Sequence, residues 1–147
     1  MAVEVRPIRH NDTLLALIIP ADYHADGIHF FTPGSFSQQL GYMYHPAGHE
    51  ILPHDHNPVT RTVEWTQEVL FVRSGKVRMD IYAPHTRAYL GSWTLLSGDV
   101  VLLAHGGHGF TILEPSEIIE VKQGPYAGEQ DKVRFSSVSD ELVTIQS

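Results

Sequence analysis

The chain has 147 residues, 42% of them apolar, which predicts one folded domain over residues 1–147. A formal net charge of −7 with no basic run excludes a surface built to track nucleic acid phosphate or an anionic membrane. The absence of Cys excludes disulfides, cysteine-held metal centres and a thiolate nucleophile.

From the N-terminus, MAVEVRPIRHND carries charges every few residues and has no apolar stretch of the secretory kind. The longest apolar run, Leu14 to Ile19, is far too short to span a bilayer, so a soluble, cytoplasmic protein is expected. Residues 11–19 read either as a strand or as a short helix capped at Asn11 or Asp12. The aromatic residues of the first 45 positions, among them Phe30, Phe31, Phe36, Tyr42 and Tyr44, exceed what one strand pair needs for its core. They predict a homodimer joined through N-terminal strands, with any metal sites facing away.

Gly and Pro recur at short intervals from Pro20 to Gly128 and leave little room for long helices. Between them lie β-type runs at residues 40–44, 69–72, 76–82, 93–96, 100–103, 110–113, 118–122 and 133–135. The clearest is KVRMDIY, where Val77, Met79 and Ile81 alternate with Arg78, Asp80 and Tyr82. Short strands separated by turn signals predict an all-β sandwich or barrel. Residues 139–146, SDELVTIQ, predict a short terminal helix.

Ten histidines stand out in so short a chain. His54 and His56 lie two residues apart in PHDHNP; in extended chain both point to one side and can meet one metal ion. Glu68 opens the buried-type run EVLFVRSG, where a carboxylate needs a cation or hydrogen bonds. His108 follows the run at residues 100–103 and a glycine-rich turn. Three His and one Glu fill four positions of an octahedral divalent ion and leave two for water, dioxygen or a chelating substrate.

The stretch from Gly48 through His54, His56 and Glu68 to Gly75 resembles the first motif of the cupin superfamily, and Gly98-Asp99 through His108 resembles the second. Gly98 follows Gly75 by 23 residues, room for about two strands. Four features depart from the family pattern. Eleven residues separate His56 from Glu68 where three or four are usual, Ala104 replaces a Pro, His108 arrives one residue early, and Ile112 replaces an Asn. The long spacer brings in Glu64, which shares the strand parity of Glu68 and competes with it as ligand; His105 is the alternative to His108.

The resemblance implies a double-stranded β-helix (jelly-roll-like) of two packed antiparallel sheets, with one divalent ion, Fe, Mn, Ni or Zn, held by His54, His56, Glu68 and His108. It implies a metal-dependent dioxygenase, isomerase or lyase acting on a small polar, sugar-related ligand, with Glu64, His49 or Lys122 as general base. Tyr44, Glu120 and Lys122 are candidate substrate contacts; alternation along IIEVKQGPY also fits an edge strand with a solvated charged face. Two rival functions remain: a metal-containing binding or sensing domain without turnover, and a metal-free sugar isomerase or epimerase using a His–Tyr pair.

Overall fold

The computed structural model describes all residues, 1–147. It is mostly β: β1 (Arg6–His10), β2 (Thr13–Ile19), β3 (Gly27–Phe30), β4 (Gly41–Tyr44), β5 (Glu68–Tyr82), β6 (Tyr89–Leu96), β7 (Val100–Leu103) and β8 (Gly107–Lys122). Six strands form one antiparallel sheet in the order β1-β2-β7-β5-β6, with β8 on the other edge of β5; β3 and β4 form a separate ribbon. No helix is long and apolar enough to cross a membrane.

The first ambiguity resolves as a hairpin. Asn11 and Asp12 both have positive φ (47° and 64°), and His10 pairs directly with Thr13. Two positive-φ residues make the tight turn whose twist matches the flanking strands, and Asn and Asp tolerate that conformation best after Gly. β2 then runs almost wholly buried into the core. The runs at 69–72 and 76–82 are one strand, as are those at 110–113 and 118–122. Gly75 therefore does not end the strand. It bends it, with φ at 97°, and the register against β8 shifts between Val72 and Val77.

The bend is shared across the sheet. β6 and β7 follow one another along the same edge of β5, β6 opposite Lys76–Tyr82 and β7 opposite Glu68–Phe71. Between them, Gly98 N–H donates to Val72 O (2.6 Å) and Val72 N–H donates to Asp99 O (2.9 Å). The buried Asp99 carboxylate clamps this corner by accepting from Ala21 N–H and Leu96 N–H, each at 2.8 Å. Three strands turning together curl the sheet into a half-barrel.

Its concave face is the core: Leu15, Ile18, Val72, Val77, Met79, Ile81, Leu95 and Val101 are all essentially buried there. The structure thus shows one curled sheet and a ribbon where two packed sheets were expected. Residues 133–135 are not a strand, and the tail forms only a 3₁₀ turn at Asp140–Leu142, with Ile145 bridged to Ser92 of β6.

Candidate functional site

Curling brings together residues that a flat sheet would hold far apart. Glu68 begins β5, and His108 lies opposite Ile81 on β8. A straight strand would separate residues 68 and 81 by about 44 Å. In the half-barrel, His108 Nε2 lies 3.2 Å from Glu68 Oε2, and Lys122 Nζ lies 3.4 Å from Glu68 Oε1. Lys122 is directly opposite Glu68 in the β5–β8 register, so the strand pairing itself delivers the cation. Parity places Glu68 on the face that carries buried Leu70 and Val72.

Glu68 is the most enclosed of the three side chains, 13% exposed against 33% for His108 and 30% for Lys122. A hydrogen bond from His108, reinforced by the charges of His108 and Lys122, holds its carboxyl below the usual carboxylate range against the opposing effect of burial. Lys122 is raised by the Glu68 charge.

The pair faces an open cleft of about 1200 Å³. Glu64, Trp65 and His105 line it, with Trp65 and His105 in edge contact at 4.9 Å. The opposite wall comes from the C-terminal tail: Asp131, Arg134 and Phe135, with Arg87 stacked over the Phe135 ring. Thr66 hydrogen-bonds Asp131 and closes one rim. Sequence reasoning missed this wall. Its only signal was the Val133-x-Phe135 alternation, which reads as a strand.

The candidate residues therefore fall into two groups. Glu68, His108 and Lys122 meet, and Glu64 and His105 line the same cleft. Of the two competing carboxylates, Glu68 carries both ion pairs and Glu64 carries none. His54 and His56 lie elsewhere, on residues 46–65, every one of which is exposed. Their rings sit beside each other, centroids 5.2 Å apart, but His54 Nδ1 bonds only to Leu52 O, and no cluster of three metal-ligating side chains forms within the chain. His49 stacks on His45 at 4.0 Å, Tyr44 packs edge-on to His24, and Glu120 is exposed on β8; none lines the cleft.

As a metal half-site, the arrangement supplies one carboxylate and one imidazole at chelating separation, with the carboxylate already ionised. As an acid–base site, it supplies an imidazole oriented by a carboxylate. Comparison with family models, curated proteins and solved structures gave no match for this chain.

Proposed function

We propose that the chain is a cupin-type metalloprotein that binds a small, polar, oxygen-rich ligand at one divalent ion and transforms it. The observation that carries this reading is the 3.2 Å approach of His108 to Glu68 across the concave face. Those two residues occupy the ligand places of two separate motifs, and the fold had to curl to join them. His54 and His56 would supply the remaining donors, although within one chain they lie outside the cleft. Three imidazoles and a carboxylate suit Fe, Mn, Ni or Zn and leave open positions.

The ion would supply Lewis acidity, or dioxygen activation if it is iron. The chain's own residues do the rest. Lys122 neutralises the Glu68 oxygen that His108 does not face, acting from outside the cleft. Trp65 and Phe135 give the cleft apolar walls, and Glu64, which lines it together with Asp131, is our candidate to accept a proton from a ligand bound there.

A metal-free isomerase or epimerase is the second reading, favoured by the Glu68 carboxylate lying against the His108 imidazole as an orienting group would. Elemental analysis of protein purified without a histidine tag separates the two. About one divalent ion per chain is expected, falling strongly in His108→Ala and in Glu68→Gln but little in Glu64→Gln. Metal-free wild-type protein that turns over sugars would establish the second reading instead.

A further inference from the structure

Residues 46–65 are the anomaly of this molecule. All are exposed, none is in a strand or helix, and every hydrogen bond made by residues 46–63 is to a neighbour in the same stretch. The excursion that contains them has a pinned base. Gln67 is buried, its side-chain Oε1 accepts from Gln38 N–H (3.0 Å) and Ser37 Oγ–H (3.3 Å), and Gln38 Nε2 donates to Gln123 Oε1 (3.0 Å). Gln38 and Gln67 are thus tied together at one neck, close to the start of β5. Between them lie β4, which pairs with β3, and an arm.

The arm and the sheet edge are both apolar where they are bare. Ile51, Leu52, Val59 and Val63 are exposed on the arm; Ile112, Leu113, Ile118, Ile119 and Val121 are exposed on β8. β8 pairs only with β5, so its outer edge offers 16 residues of unpaired backbone flanked by apolar side chains. Long, bare, apolar edges are templates for another strand. The surface area agrees. A compact chain of 16.4 kDa exposes about 7,500 Å², whereas this one exposes 10085 Å². An excess of about 2,500 Å² on each of two chains has the scale of an obligate homodimer interface. The bare cleft has the complementary defect: it holds two donors, Glu68 and His108, and the arm holds the other two.

We propose that residues 46–63 are exchanged between two copies of the chain, so that His54 and His56 of one copy complete the Glu68–His108 site of the other. The proposal rests on the metal reading above and adds where the second pair of donors comes from. A second copy is the one occupant whose arm is known to carry both apolar side chains to cover the apolar β8 edge and the imidazoles that the site lacks. Two-fold symmetry makes the exchange reciprocal and closes the assembly at a dimer with two sites. The sites then lie at the interface, not facing away from it.

Co-expression of two differently tagged chains tests this, the tags containing no histidine. One carries His54→Ala and His56→Ala; the other carries Glu68→Gln and His108→Ala. Each variant alone is expected to be empty. In the purified mixed dimer, exchange rebuilds one intact site from the two defective chains, so about half an ion per chain returns. An empty mixed dimer beside a loaded wild type overturns the exchange while leaving the metal reading intact. An empty wild type overturns the metal reading and the exchange with it. A second measurement does not depend on those variants folding. The chain has no Cys, so Leu52→Cys on the exposed arm gives a single thiol. Exchange predicts at least tenfold slower reaction with a thiol reagent than in urea, and reaction as fast as in urea overturns it.

Discussion

Glu68 is where the residue scale decides most. Its carboxyl is held low, first by the hydrogen bond from His108 and then by the neighbouring charges. A carboxyl whose folded pKa lies below its unfolded value contributes stability that is complete above the unfolded pKa and is lost as pH falls through the folded one. Glu68→Gln is therefore expected to destabilise the metal-free protein near neutral pH, by about 1 kcal/mol. The gap should close on acidification. Urea midpoints of both proteins at about pH 7 and about pH 3 check this, and a gap that widens in acid contradicts the sign. Asp99 is a purely structural counterpart. It is 5% exposed and satisfies two backbone amides, that of Leu96 at the end of β6 and that of Ala21 just past β2. Asp99→Ala leaves both amides without partners and is expected to cost about 3 kcal/mol in a urea titration, with the loss felt throughout the curl.

Among the elements, the bend in β5 is the device that makes the site. At Gly75, φ is 97°, and a Cβ would run into the Ser116 side chain and the Pro115 carbonyl on β8. Ala there must both adopt an unfavourable backbone and push β8 away. Gly75→Ala is expected to lose about 2 kcal/mol or more and to part His108 from Glu68. Thermal unfolding reads the first effect and weakened metal uptake the second. This bend also marks how far the sequence could be read. Alternation in KVRMDIY identifies a strand with its inner face correctly, because period two is local. The same glycine reads as a turn, since whether a positive φ reverses a chain or merely kinks it depends on the neighbours, here β8 and the corner at Gly98. β1 is missed because RPIRH buries only Ile8 and carries no alternating pattern. For the site, Glu68 and His108 are legible from motif spacing, whereas the placement of His54 and His56 is not. Their pairing on one side follows from two-residue spacing, but where the arm goes is set by contacts that no local pattern encodes.

At the scale of the whole molecule, the free energy of ordering the arm has to come from somewhere. Fixing the backbone of residues 46–65 costs about 20–40 kcal/mol in conformational entropy. Within one chain almost nothing offsets it, because no residue of that stretch is buried and only 25 of 147 residues in the whole chain are. If the arm is ordered against a second copy, folding and association are one transition, and stability must depend on concentration. The size of the effect follows from mass action. A hundredfold dilution removes about 2.7 kcal/mol from the dimer. Two chains of this length unfold with an entropy of about 0.6 kcal/mol/K, so the thermal midpoint of the metal-free protein should fall by about 4 °C between about 100 µM and about 1 µM. Chelator is included so that metal release does not add its own concentration dependence. Light scattering at the upper concentration should give a mass near twice 16.4 kDa. A midpoint that stays constant across that range, with the mass of a single chain, would mean that the half-barrel folds alone and that the arm has no partner in solution.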